Sequence, residues 1–232
     1  MKKRVVIITG GFGVLGTTVA SAFLSQGDRV VRVDAAPAPP PPSDQAAQGF
    51  FDLPSVDISD PKSARDCIAL IDRELGPASV LVNIAGGFIW ETLESGDDGN
   101  WERMFRTNAL TAVNMARAAL PMLGHQGSGA VINIGAHAAL KAGPGMGPYA
   151  ASKAAVHSLT ESLAEESAGL DVTVNALLPT IIDTPANRAA MPNADRSQWI
   201  SPTALAEITL FLASQSARAI TGALIPVRRG TA

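Results

Sequence analysis

The sequence is poor in the side chains that build disulfides and metal sites. Its 232 residues include one cysteine and three histidines. The single Cys67 excludes an internal disulfide and a metal site made of several cysteines. His125, His137 and His157 are scattered along the chain without the spacing of metal ligands. We therefore expect no metal site in this protein.

Charge and long apolar runs are scarce as well. Charged residues make up 17% of the chain, the formal net charge is −3, and no cluster of Lys and Arg forms a basic stripe, which argues against a nucleic-acid partner. No apolar stretch is long enough to span a bilayer. The apolar run near the amino terminus, at 5–8, is too short for a signal peptide. These features predict a cytoplasmic protein without a membrane partner.

What the chain does have is a regular alternation of short Val/Ile-rich runs and longer amphipathic Ala/Leu-rich stretches. Strands that are apolar on both faces and separated by helices indicate a parallel sheet covered on both sides. We therefore predict an α/β fold, a single Rossmann-type doubly wound domain over residues 1–232 with a mostly parallel sheet. The predicted strands are 4–9, 29–34, 79–85, 129–135, 172–179 and 222–227, and the predicted helices are about 15–25, 61–75, 100–123, 148–168 and 203–213.

The one low-complexity stretch is the Pro-rich segment at 35–49, with four consecutive prolines. Proline runs favour polyproline II and exclude a helix or a central strand. The segment is predicted to be a surface loop, although a docking ligand for a partner is an alternative interpretation. Because the alternation resumes after it, it does not mark a domain boundary.

A glycine-rich turn, TGGFGVLG at 9–16, follows the first predicted strand and opens the first predicted helix. Such glycines allow a tight turn, a close approach of the backbone to a pyrophosphate, and close helix–strand packing. The helix N-terminus adds free N–H groups and a positive dipole end. The turn predicts dinucleotide binding by Gly10, Gly11, Phe12, Gly13, Val14, Leu15 and Gly16.

An acidic residue ends the second predicted strand. A carboxylate at Asp34 can accept hydrogen bonds from both hydroxyls of the adenosine ribose and would repel a 2′-phosphate. This favours NAD over NADP, unless Asp34 is an ordinary turn residue. Arg32 instead favours NADP. Strand alternation places it on the same face as Asp34, where it could reach a 2′-phosphate, so NADP remains possible.

Small residues follow the third predicted strand, in NIAGG at 83–87. Ligands of open α/β sheets lie beyond the carboxyl ends of the strands. Asn83, Ala85 and Gly86 are therefore candidates for cofactor contact, with plain turn residues as the alternative.

The only tyrosine of the chain lies four residues before a lysine, at the start of a predicted helix. Residues four apart share a helix face, so the ammonium of Lys153 can approach the phenol of Tyr149. A nearby cation lowers a tyrosine pKa from about 10. Such a tyrosine can exchange a proton with a carbonyl or alcohol oxygen. The pair alone is an everyday helical pair; its place beside a dinucleotide turn makes it a catalytic candidate.

The glycine turn, NIAG, Asn108 in RTNAL, Tyr149-AAS-Lys153 and VNALLPTIIDTP together resemble the short-chain dehydrogenase/reductase family, in order and over nearly the whole chain. The resemblance implies hydride transfer between a nicotinamide and a carbonyl or related group. It implies Tyr149 as the acid/base, Lys153 as the residue that lowers its pKa and holds the ribose, and Asn108 as support for a water-linked proton relay. Asp57 and Ile58 match positions that flank adenine.

The sequence departs from the family pattern at three places. Position 14 is Val where many members have a glycine. Pro179, which the resemblance implies as a cofactor contact together with Tyr149, is followed by Thr180 rather than glycine. Ala136 stands where members usually carry a serine that hydrogen-bonds the substrate oxygen. Alanine at that place, the glycine pattern and the AGG sequence are similar to the dihydropteridine reductases, which implies an NADH-dependent enzyme whose substrate is already activated. Asn108 fits the general family better.

Several residues are candidates for the substrate side. His137 could replace the missing hydroxyl as a donor, although alternation turns it away. Thr184 either hydrogen-bonds the cofactor or only starts a helix. Residues 184–200 are interpreted as a short lid. The substrate candidates are Ala136, His137, Phe88, Trp90 and Met191, the aromatic pair being equally suited to core packing.

Alternatives to an oxidoreductase remain at this stage. A non-catalytic NAD(P)-binding redox sensor or scaffold would explain the missing serine, but it has no reason to keep Tyr149, Lys153 and Asn108. An epimerase or dehydratase would need a further substrate domain, of which the sequence shows no trace. Alanine-rich faces of the helices around 100–123 and 148–168 permit close packing, and similar proteins pair these helices across a dimer or tetramer. The resemblance thus implies a homodimer or homotetramer, with packing on their own sheet as the alternative. The expected partner is a small-molecule substrate.

Overall fold

The computed structural model describes residues 3–39, 49–124 and 127–228. Its seven strands form one sheet in the order β3-β2-β1-β4-β5-β6-β7, and every neighbouring pair is parallel. The strands are β1 (Val5–Thr9), β2 (Arg29–Val33), β3 (Phe50–Leu53), β4 (Val80–Asn83), β5 (Gly129–Ile134), β6 (Val172–Pro179) and β7 (Leu224–Val227). The predicted Rossmann-type doubly wound α/β fold is confirmed.

The described helices connect these strands as crossovers. They are α1 (Val14–Ser25), α2 (Pro61–Leu75), α3 (Gly99–Met104), a π-helical segment (Phe105–Leu110), α4 (Thr111–Gly124), α5 (Gly147–Glu166), α6 (Pro185–Ala190) and α7 (Pro202–Leu212), with 3₁₀ turns at His137–Ala139 and Gln215–Ala217. Sequence signals explain several of the starts. In α2, for example, Asp60 accepts a hydrogen bond from the Ser63 N–H and Pro61 occupies the first turn.

The two faces of the sheet carry separate apolar layers. Buried side chains of α2, α4 and α5 pack on one face, and those of α1 and α7 pack on the other. The central strands are buried along their whole length, as in the VVIIT run of β1. This two-sided burial is why the strands show continuous apolar runs instead of alternation.

Two elements differ from the sequence-based prediction. The strand β3 was not predicted, because it is only four residues long, is half-buried and follows the Pro-rich segment. Residues 40–48 of that segment lie outside the described residues. The second difference is that the single helix predicted at 100–123 is three segments, with the π-helical turn in the middle. A π turn carries one extra residue, which composition and periodicity do not reveal.

No helix in the three described ranges combines the length and the apolar character needed to cross a membrane.

Candidate active site

A cleft of about 750 Å³ opens at the carboxyl ends of the central strands. It lies where the strand order reverses between β1 and β4, which is where doubly wound sheets bind ligands. The cleft is lined by Gly10, Gly13, Val14, Leu15, Gly16, Val33, Asp34, Ala35, Asp57, Ile58, Ser59, Ile84, Ala85, Gly86, Arg106, Thr107, Thr111, Thr184 and Ala186. Eleven of the predicted cofactor-binding residues are in this lining, and Gly11, Phe12, Asn83, Tyr149, Lys153 and Pro179 are not.

The glycines of the turn have distinct structural tasks. Gly10 has φ of +64°, a conformation that other residues rarely adopt. A Cβ at Gly16 would overlap the carbonyl oxygen of Gly10, so this glycine is needed for the close packing of α1 on the turn. A Cβ at Gly13 would approach only the Gly10 oxygen, at 3.5 Å, and Gly13 lines the cleft. Its missing side chain leaves room for a ligand.

The N-terminus of α1 is open toward an anion. Its N-cap residue, Gly13, has no side chain to cap the helix, and the first turn holds no acidic residue. The first-turn N–H groups of a helix lack intrahelical partners and carry the positive end of the dipole. This arrangement fits a pyrophosphate.

Asp34 lies at the rim of the cleft, directly after β2. Its Oδ2 accepts a hydrogen bond from the Phe12 N–H at 3.0 Å, and its Oδ1 accepts one from the Ala36 N–H at 3.0 Å. The carboxylate therefore keeps a fixed orientation next to the glycine turn.

Arg32 does not reach the cleft as the sequence suggested. It pairs with Asp52 of β3, and its side chain is only 7% exposed. The interpretation was wrong because the partner belongs to the strand that the sequence did not predict. Arg32 is thus neutralised within the sheet.

Asp57 and Ile58 line the cleft, together with Arg106, which was not predicted. Arg106 donates from Nε to the Ser59 Oγ at 2.8 Å and from Nη2 to Asp57 Oδ2 at 3.2 Å. Hydrogen bonds from Ser59 and from Arg106 lower the pKa of Asp57. Arg106 lies 49 residues from Asp57, so no local pattern reveals this pair.

Asn83, a predicted cofactor contact, is not among the residues that line the cleft. It is buried and donates from Nδ2 to Asn133 Oδ1 at 2.9 Å, and Asn133 in turn donates to Thr160 of α5. Buried polar groups need such partners. The amide joins β4, β5 and α5 rather than a ligand.

Tyr149 lies in the first turn of α5, after Pro148. Its ring meets the Phe88 ring edge-on, with 4.9 Å between ring centroids and 76° between planes. Burial raises the pKa of Tyr149 to about 12. The predicted lowering of this pKa by Lys153 is therefore wrong for the protein by itself, because desolvation of the phenolate dominates.

Lys153 is buried one helical turn further along α5. Its Nζ donates to the Ile134 carbonyl oxygen at 2.8 Å, and burial lowers its pKa to about 8. A Cβ at Gly86 would lie 3.3 Å from this Nζ and would overlap Asn108 Oδ1. Because Gly86 lines the cleft, both polar groups lie directly beside it.

The lowered pKa of Lys153 predicts a pH-dependent stability. Between about pH 8 and the unfolded value of 10.5, the unfolded chain holds a proton that the folded chain has lost, so stability rises with pH. Cys67, whose pKa is raised from 9.0, acts in the opposite direction above pH 9. We expect urea midpoints of the wild type to rise from pH 8 to pH 9 relative to Lys153→Met. If the urea midpoints of the two proteins changed equally between pH 8 and pH 9, this prediction would be contradicted.

Asn108 is fixed inside the π-helical segment. Its Oδ1 accepts from the Gly87 N–H at 2.8 Å, and its Nδ2 donates to the Gly87 carbonyl at 3.1 Å and to Ser152 Oγ at 2.9 Å. The residue is 1% exposed. It ties the loop after β4 to α5 and so couples the cleft to the helix of Tyr149 and Lys153.

The predicted substrate residues after β5 adopt a different local structure from that expected. Strand β5 ends at Ile134, and His137 opens a 3₁₀ turn, so strand alternation does not apply to it. Ala136 is buried, and its N–H donates to His157 Nε2 at 3.3 Å. Burial lowers the pKa of His157, with a further contribution from Lys153, so this unpredicted histidine is a neutral acceptor.

Two aromatic residues follow AGG. Phe88 and Trp90 are 56% and 58% exposed, so core packing does not explain them. A Cβ at Gly145 would overlap the Trp90 ring, which places this ring against the loop before Tyr149. Phe88 thus contacts the Tyr149 ring, and Trp90 lies against the preceding loop.

The segment 184–200 is anchored at both ends. Thr184 caps α6, accepting from the Asn187 N–H at 3.2 Å, so it does start a helix. It also lines the cleft, and its hydrogen bond to the cofactor stays a prediction. Met191 ends this helix and is half-buried. Trp199 is buried, and the interpretation of 184–200 as a lid stays a prediction. Pro179 is the buried last residue of β6.

Among the described residues, no group of three or more His, Cys, Asp or Glu side chains is placed to hold a metal ion.

A seven-stranded parallel sheet with a glycine turn at its switch point is the fold of the Rossmann-type proteins. The chain belongs to the short chain dehydrogenase family, whose model matches residues 4–195.

Named relatives span nearly the whole chain. An acetoacetyl-CoA reductase of Allochromatium vinosum is 30% identical over 98% of this chain and 98% of its own. A 3-oxoacyl-[acyl-carrier-protein] reductase of Thermotoga maritima is 26% identical over 99% and 98%. The solved structure of Thermoplasma acidophilum aldohexose dehydrogenase is 27% identical, has a TM-score of 0.86, and the match covers 97% of this chain and 92% of that one.

Proposed function

We propose that this oxidoreductase prefers NAD and transfers a hydride between the nicotinamide and a small carbonyl, quinone-like or dihydropterin-like substrate. The observation that carries the proposal is the position of Gly86, which lines the cleft and leaves no room for a Cβ between it and Asn108 and Lys153. The cleft proposed for the cofactor therefore borders Asn108 and Lys153, two of the groups proposed to support proton transfer.

The residues of the cleft fit a nicotinamide dinucleotide. The bare Gly13 and the open N-terminus of α1 offer space and N–H groups to a pyrophosphate. Asp34 offers an oriented carboxylate to the adenosine ribose hydroxyls. When bound, the nicotinamide supplies or accepts the hydride.

Tyr149 is the proposed proton donor in the reductive direction. Its raised pKa keeps the phenol protonated at neutral pH, as a donor must be. The proton would pass from the phenol oxygen to the substrate oxygen or nitrogen. Lys153, with a pKa of about 8, is still mostly cationic at pH 7 and would stabilise the phenolate that remains.

The substrate class follows from what surrounds the phenol. Phe88 and Trp90 offer exposed aromatic surface, which suits a planar or apolar substrate. Ala136 offers no hydroxyl to polarise an isolated ketone, which favours a substrate that is already activated. Two of the named relatives are reductases of 3-oxoacyl thioesters, so a carbonyl of that kind belongs in the same screen.

A substrate screen tests the proposal. NADH and NADPH oxidation is followed at 340 nm with quinonoid dihydropterin, quinones, small aldehydes and a 3-oxoacyl thioester as acceptors. We expect turnover with NADH and at least one acceptor. Binding of the dinucleotide without turnover of any acceptor would favour the non-catalytic sensor or scaffold.

The NAD preference has its own test. Asp34→Ala removes the carboxylate that faces the ribose, and we expect the ratio of NADH to NADPH affinity to fall roughly tenfold or more, the effect of one charge-assisted hydrogen bond. Asp72→Ala, an exposed change on α2, is the control and should keep the ratio. A wild type that already prefers NADPH would show that the Asp34 argument is wrong.

A further inference from the structure

Arg32 and Asp52 form a pair directly beneath the cofactor turn. The two residues are Cα partners in the parallel register of β2 and β3. Nε of Arg32 donates to Asp52 Oδ1 at 2.8 Å, and Nη2 donates to Oδ2 at 2.6 Å. The Nε–H and Nη2–H groups of one guanidinium edge each donate to a different carboxylate oxygen, so the pair is bidentate.

Two aromatic rings hold the guanidinium on its other sides. Its Cζ lies 4.2 Å from the Phe50 ring centroid and 5.3 Å from the Phe12 ring centroid. Such stacking favours arginine in one orientation. The Arg32 side chain is 7% exposed, whereas Asp52 is 29% exposed.

The same turn contacts both Arg32 and Asp34. A Cβ at Gly11 would overlap the Cβ of Arg32, and the Phe12 N–H donates to Asp34. Arg32 and Asp34 lie two positions apart along the strand direction and share a face. Released from Asp52, the guanidinium would be within reach of the ribose end of the cleft.

We propose that Asp52 determines cofactor specificity without touching the cofactor. By holding Arg32 in a bidentate pair outside the cleft, it leaves Asp34 as the uncompensated charge beside the adenosine ribose. A 2′-phosphate then meets the Asp34 carboxylate, while the guanidinium two positions earlier on the strand is engaged by Asp52. Asp52 is thus a positioning residue that acts through Arg32, and this inference rests on the proposed NAD preference.

The test compares NADH and NADPH dissociation constants by fluorescence titration. Asp52→Asn keeps the size of the side chain but gives up its charge, and we expect NADPH to bind roughly tenfold tighter or more while NADH binding stays within about twofold. Asp52→Thr is the second variant, because a β-branched residue suits an edge strand if the Asn variant folds poorly. The double variant Arg32→Gln/Asp52→Asn should return to the wild-type ratio of the two dissociation constants, because the tighter binding of NADPH needs the Arg32 guanidinium.

A matched control is available at the opposite end of β2. Arg4 makes the same bidentate contact with Asp28, at 3.0 and 2.6 Å, far from the cleft. Asp28→Asn should lower stability and leave the ratio of the two dissociation constants unchanged. This separates loss of a salt bridge in general from release of Arg32.

The outcomes are distinct. If the wild type prefers NADH and both Asp52 variants keep its ratio of NADH to NADPH dissociation constants, this inference alone is overturned. A gain in NADPH affinity that persists in the double variant would also overturn it, because Arg32 would not be its source. A wild type that binds neither dinucleotide would instead overturn the proposed function, and the inference with it.

Discussion

Replacement of Tyr149 by phenylalanine is expected to reduce kcat/KM by about 10²–10⁴-fold, the range for loss of a general acid. The variant keeps the aromatic ring, so the edge-on contact with Phe88 is retained and only the hydroxyl is lost. Dinucleotide binding should change little, because Tyr149 is not part of the cleft lining. The measurement is steady-state kinetics with the best acceptor, beside an NADH titration.

Ser158→Ala is the matched control for that experiment. It removes a hydroxyl from the exposed side of the same helix, and we expect wild-type kinetics. Turnover by Tyr149→Phe at the wild-type rate would exclude the phenol as the proton donor.

The variant Gly16→Ala is expected to bind the dinucleotide about 100-fold more weakly than the wild type, or worse. The added methyl would overlap the Gly10 carbonyl oxygen and approach the Cα of Gly11, which are backbone atoms that cannot rotate away. The turn and the start of α1 must therefore separate, which displaces the N–H groups offered to the pyrophosphate. Overpacking of this kind also costs about 1–3 kcal/mol of stability.

Gly169→Ala provides the comparison for this change. A Cβ at Gly169 would meet no atom within 4 Å, so neither binding nor stability should fall. Thermal melting with and without NADH measures both effects at once. A Gly16→Ala protein that NADH stabilises as strongly as the wild type would contradict the proposed role of this turn.

The sheet and the glycine turn could be predicted from the sequence because their signals are local. Apolar runs such as VVIIT mark buried parallel strands, and the turn lies between one of them and a helix. The placement of Tyr149 and Lys153 one turn apart on α5 is likewise a matter of helical spacing. Each of these predictions depends on residues only a few positions apart.

The features that could not be predicted from the sequence depend on contacts between distant residues. Strand β3 is short and gives little apolar signal, and with it the partner of Arg32 was missed. The pairing of Arg106 with Asp57, and the contact of His157 with Ala136, also join distant segments. The raised pKa of Tyr149 follows from burial, which the spacing of two residues does not describe.

The π-helical turn is a different case. Residues FRTNAL carry no helix-breaking residue, and the extra residue of the turn serves to place Asn108 inward, where it binds Gly87 and Ser152. Such segments are rare and often lie at functional sites.

Titration of the wild-type protein with NADH and with NADPH tests the account most directly. The cleft, the bare Gly13 and the oriented Asp34 predict saturable binding of one NADH per chain, with NADPH binding at least tenfold more weakly. The absence of saturable binding of either dinucleotide would contradict the account.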